Sequence, residues 1–114
     1  MLWVDDVKAT VDYYVHVLGF TCYEMMEELN WADVGLDDIA IMFAKPYSNW
    51  EYNGPVFTGS IYLNTNNVDA WWEQLKDIAH VYYEIENFEY GMREFAIKDP
   101  NGYIIQFGQP IDEL

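Results

Sequence analysis

The chain is poor in the residues that would make several kinds of protein possible. It has one cysteine in 114 residues, Cys22, which excludes an internal disulfide and fits a reducing compartment. It has 5 lysines and arginines against 20 aspartates and glutamates, a formal net charge of −15. A nucleic-acid partner would meet like-charge repulsion along its phosphates, and an anionic membrane surface is disfavoured for the same reason. There are two histidines, His16 and His80: one falls within a helical pattern and the other at a helix-to-strand junction, so a solvent-facing or structural role is expected for each. No apolar run approaches the length of a membrane span, and no cationic stretch followed by an apolar run opens the chain. The seven glycines are scattered at turns rather than gathered into a phosphate loop. A cytoplasmic protein is the expectation.

What is abundant is apolar and aromatic surface: 52% of residues are hydrophobic and 18% aromatic. That is ample for a core and rules out disorder despite the charge. Apolar residues at helical spacing predict two helices, Val7 to Leu18 after an Asp6 cap and Val68 to Ile78 after an Asn67 cap. Gly19 is expected to end the first. Alternation predicts strands over 20–28, 31–34, 39–44, 59–64, 81–86, 92–97 and 103–107, punctuated by turns such as Asp99-Pro100-Asn101-Gly102. Cys22 lies in one of these strands with no basic neighbour to lower its pKa, which gives it a structural role.

An internal repeat organises these elements. Val4-Asp5-Asp6-Val7-Lys8-Ala9 aligns with Thr65-Asn66-Asn67-Val68-Asp69-Ala70 at an offset of 61 residues. Ile39 to Pro46 aligns with Tyr103 to Pro110 at an offset of 64. The fold expected is therefore α+β: two βαβββ modules, about 1–46 and 58–114, forming a curved mixed sheet around a cleft with the helices on the outer face. Alternation places Ile41, Phe43, Ile61, Leu63, Ile105 and Phe107 against the helices. It turns Trp3, Met42, Ser60, Tyr62, Asn64, Ile104 and Gln106 the other way.

Val4-Asp5-Asp6-Val7 leading into Tyr13-Tyr14 and Leu18-Gly19-Phe20, then Asn67-Val68-Asp69-Ala70, then Tyr90 to Phe95 running into Asp99-Pro100-Asn101-Gly102, together resemble the vicinal oxygen chelate superfamily. That group holds glyoxalase I, extradiol dioxygenases and bleomycin-resistance proteins. The resemblance covers nearly the whole chain. It implies that metal ligands, where present, sit at equivalent inward strand positions, which here fall on Met42, Ser60 and Gln106. A serine, an amide and a thioether make a poor cage for a Lewis-acid metal, so no metal and no cofactor is expected.

The branch most similar is the metal-free bleomycin-resistance one, which implies a homodimer that sequesters a planar, cationic drug without altering it. The connection over 46–57 adds Tyr47, Trp50, Tyr52 and Phe57, more aromatic surface than a linker needs, with Glu51 among them. Aromatic walls stack on planar ligands and attract cations. The expected ligand-binding set is Trp3, Met42, Trp50, Tyr52, Ser60, Tyr62 and Gln106, with Arg93 paired to a nearby carboxylate. Two other readings stand beside it. One is a divergent metal-dependent enzyme using Gln106; the other is an acidic structural or regulatory dimer.

Overall fold

The computed structural model describes residues 1–48, 51–56 and 59–114. The chain divides into two compact units, Met1–Val56 and Phe57–Leu114. Each unit is a four-stranded mixed sheet with one helix.

In the first unit, β1 (Leu2–Trp3) is followed by α1 (Val7–His16), β2 (Thr21–Met26), β3 (Trp31–Leu36) and β4 (Ile39–Ala44). The strand order is β1-β4-β3-β2, with β1 parallel to β4 and the other pairs antiparallel. The second unit repeats this with β5 (Ile61–Asn64), α2 (Val68–Leu75), β6 (His80–Asn87), β7 (Met92–Lys98) and β8 (Ile104–Pro110). Its order is β5-β8-β7-β6, with β5 parallel to β8. Both units are thus βαβββ, as the repeat predicts.

The helices start where the caps predict. The Asp6 carboxylate accepts from the Ala9 N–H at 2.9 Å, and the Asn67 side-chain oxygen accepts from the Ala70 N–H at 3.2 Å. After α1, Gly19 takes φ +81° and lets the Phe20 N–H reach back to the Tyr14 carbonyl at 2.9 Å. Each helix buries its apolar stripe on its own sheet. Tyr14 packs on Phe43 with ring centroids 4.7 Å apart, Trp71 on Phe107 at 5.2 Å and Trp72 on Phe95 at 5.2 Å. Ile41, Phe43, Leu63, Ile105 and Phe107 are buried as alternation requires.

Several boundaries differ from the pattern-based expectation: α1 ends at His16 rather than Leu18, β5 begins at Ile61 rather than 59, β8 runs to Pro110 rather than 107, and three further differences have a local cause. The first long strand stops at Met26, because Glu27–Leu29 winds into a 3-10 turn that Asn30 closes at φ +49°. The second helix ends at Leu75, which leaves Ile78 exposed rather than in the stripe. Strand β3 runs on to Leu36, so its turn narrows to Asp37 and Asp38, with Asp37 at φ +52°. No helix among the described residues is long and apolar enough to cross a membrane.

Candidate functional site

In each unit the helix covers one sheet face, and the candidate residues project from the other.

In the first unit, Trp3 on the edge strand β1 pairs in register with Ala44. The Tyr52 hydroxyl donates to the Trp3 carbonyl at 2.8 Å, and the two rings meet edge to face at 6.0 Å. Tyr52 thus fastens the segment after β4 to β1. Trp3, Trp31, Leu29 and Tyr47 form the apolar wall of an open cavity of about 790 Å³, with Glu28 and Lys45 also lining it. That volume suits a small organic molecule. Met42 projects on this side, 41% exposed and opposite Asp33, whose Oδ1 is buried without a partner among the described residues. Trp50 lies outside the described residues, as does Phe57. Of the aromatic cluster expected over 46–57, the described residues are Tyr47 at the cavity and Tyr52 on Trp3.

In the second unit the helix-free face carries a hydrogen-bonded set. Tyr62 on β5 and Ala96 on β7 both pair in register with Gln106 on β8. The Ser60 hydroxyl donates to Gln106 Oε1, and Gln106 Nε2 donates to the Tyr83 hydroxyl oxygen at 2.9 Å. One step along the sheet, Glu94 pairs in register with Gly108. A Cβ on Gly108 would strike the phenol end of Tyr62, so that ring lies over the space a side chain would fill.

Glu94 is the unusual member. It is only 1% exposed, and its Oε2 has no hydrogen-bond partner among the described residues. Burial raises the Tyr62 phenol well above the ordinary tyrosine value, and the Glu94 carboxylate adds to that by hydrogen bonding and charge. Tyr83 is also raised, first by burial. The Gln106 donor works against this by favouring the phenolate, and the Glu94 charge works with it. Both rings therefore keep their protons beside an anionic acceptor.

Of the residues picked out by sequence, the structure brings Ser60, Tyr62 and Gln106 together on one face and Trp3 with Tyr52 on another. Tyr83 and Glu94 were missed. Tyr83 escaped because β6 shifts register between Val81 and Tyr83. A bulge of this kind turns Tyr83 to the opposite face from the one alternation assigns. Glu94 escaped as one acidic residue among twenty. Its signal was its parity: it alternates with Phe95, which packs on Trp72. Arg93, on the helix side, pairs with Asp69 at 2.8 Å and donates to Asn87 at 3.0 Å, in line with the expectation of a carboxylate partner.

The profile of the Glyoxalase/Bleomycin resistance protein/Dioxygenase superfamily matches residues 1–107, and the chain belongs to that superfamily. No curated protein matches it. Among solved structures it is similar to TioX from Micromonospora sp. ML1 (18% identity, TM-score 0.78, covering 96% of this chain and 94% of that one). It is similar too to TnmS3, an antibiotic binding protein from Streptomyces sp. CB03234 (23%, 0.76, 96% and 90%). A lactoylglutathione lyase from Agrobacterium tumefaciens is a further neighbour (18%, 0.75, 95% and 88%).

The divalent metal that enzymes of this superfamily hold does not suit the residues found here. Ser60 and Gln106 direct their oxygens at each other, and Met42 offers a thioether. Among the described residues no three His, Cys, Asp or Glu side chains gather at one point.

Proposed function

We propose that this chain is a non-catalytic small-molecule binding protein of the bleomycin-resistance kind, which sequesters a planar, cationic ligand and works as a homodimer. The observation that carries the reading is the closed set of Ser60, Gln106 and Tyr83. At the positions where metal donors would stand, the polar groups bond to one another. Such a set can orient a ligand by hydrogen bonds and rings, but it offers no Lewis acid and no nucleophile activated by a histidine. The net charge of −15 draws cations in. The aromatic wall of Trp3 and Trp31 gives a flat molecule a surface to stack on. The similarity to an antibiotic binding protein supports the same direction.

Tryptophan fluorescence tests it, with five indoles as reporters. Bleomycin and an acridinium dye should each quench saturably, with the same curve in the presence of a chelator. A stoichiometric response to nickel, zinc, manganese or ferrous ions, with none to the dyes, would favour the metal-dependent enzyme instead.

A further inference from the structure

We infer that Glu94 is the anchor for a protonated amine or amidinium group of the bound molecule, on the helix-free face of the second unit's sheet. The inference rests on the small-molecule reading above and names the group that the site selects.

A carboxylate that is 1% exposed with one oxygen lacking a partner is costly to bury. Among the described residues no ion pair involves Glu94. The chain's few cations are engaged elsewhere: Lys8 with Asp12, Lys76 with Glu73, Arg93 with Asp69, and Lys98 over the Tyr82 ring at 5.1 Å. Lys45 lines the cavity in the first unit. Among the described residues no lysine or arginine is paired with Glu94, and a ligand cation would complete the site.

The surroundings fit that group. Ala96 and Gly108 keep the sheet face low on either side of the Glu94–Gln106 diagonal. Tyr62 and Tyr83 both interact with Glu94, and aromatic rings attract cations. The cover over the Gly108 space is the Tyr62 ring. Tyr62 is 37% exposed, so its ring can turn outward into solvent and admit a cationic head. On this reading Tyr62, which interacts with the buried Glu94, is the side chain whose movement exposes the acceptor.

A matched pair of probes tests this on the full chain: 2-naphthamidine, a flat cation, and 2-naphthamide, its neutral analogue. The parent should bind the cation at least about tenfold more tightly, as expected for a desolvated charge pair. Glu94→Gln should bring the two affinities to within about twofold, with the unfolding midpoint unchanged or raised, because the substitution removes a buried charge. Tyr62→Ala changes a partly exposed residue and should speed association of the cation several-fold. Equal binding of both probes by the parent, or a preference that survives Glu94→Gln, would overturn the anchor while leaving small-molecule binding intact. An association rate unchanged by Tyr62→Ala would overturn it even if Glu94→Gln failed to fold. Failure of the parent to bind either probe would overturn the anchor and the binding reading together.

Discussion

The two units share a blueprint and diverge on the face that carries the candidate site residues. Both begin with a short strand parallel to the last strand of the unit, and both cap their helix with a side-chain oxygen taking an alanine N–H. Both shift register in the strand after the helix, between Cys22 and Glu24 in one and between Val81 and Tyr83 in the other. Both lay a tyrosine over a glycine, Tyr23 over Gly35 and Tyr62 over Gly108. Beyond that tyrosine–glycine contact, and a buried carboxylate oxygen without a partner among the described residues in each (Asp33 Oδ1, Glu94 Oε2), the helix-free sides differ. The first unit offers an apolar, aromatic cavity around Trp3 and Trp31; the second offers a bonded polar set around a buried carboxylate. Packing against a helix constrains one sheet face to the same chemistry twice, whereas the opposite face is free to specialise.

The shared half of that comparison predicts matched losses. Phe43 and Phe107 are related by the 64-residue repeat and are 0% and 1% exposed. Alanine at either should cost about 3 to 5 kcal/mol in denaturant unfolding. A loss below 1 kcal/mol at one of them would break the equivalence of the two cores. Gly108→Ala drives a methyl into the Tyr62 ring, and overpacking of this sort costs about 1 to 3 kcal/mol. Adding Tyr62→Ala should recover most of that, and no recovery would place the strain elsewhere. Asp6→Ala and Asn67→Ala remove equivalent caps and should each cost about 1 kcal/mol. The exposed Lys8–Asp12 pair is the smallest case: Lys8→Ala should shift stability by less than about 0.5 kcal/mol, a change that thermal melts would barely register.

The divergent half has a signature in alkaline solution. Tyr62 and Tyr83 are raised in the folded chain, so folding holds their protons more tightly than the unfolded chain does. Their contribution to stability is therefore complete below the ordinary phenol value of about 10. It fades as pH rises from there through their folded-state values. Absorbance titration of the ten tyrosines should show a late-ionising class. Glu94→Gln should move that class partway back, because burial, the larger cause for both rings, remains. A single ordinary transition would contradict the site geometry.

How much of this the chain announces in advance depends on which face is concerned. The helix-side residues obey period two, so Phe43, Leu63, Ile105 and Phe107 were legible, as were the caps Asp6 and Asn67. The repeat exposed the βαβββ plan because each unit must bury the same kind of stripe. Tyr62 and Gln106 were also placed on a common side, since β5 and β8 run in regular register, and Ser60, just before β5, joins them by its hydrogen bond to Gln106. Tyr83 was not, because a bulge breaks the period from which its face is inferred. Glu94 could be sorted by parity, but its burial and its oxygen without a partner among the described residues depend on tertiary neighbours that no local pattern encodes. The 3-10 turn at Glu27–Leu29 hid behind residues that read equally well as strand.

The claim that the chain binds without transforming is tested most directly by recovering what it has bound. Bleomycin or an acridinium dye would be incubated with the protein, with and without added divalent metal, then released by denaturation and weighed by mass spectrometry. The account predicts the compound back unaltered, in a fixed ratio to chain and in equal amount with or without metal. A recovered compound of altered mass, formed only when metal is present, would contradict it.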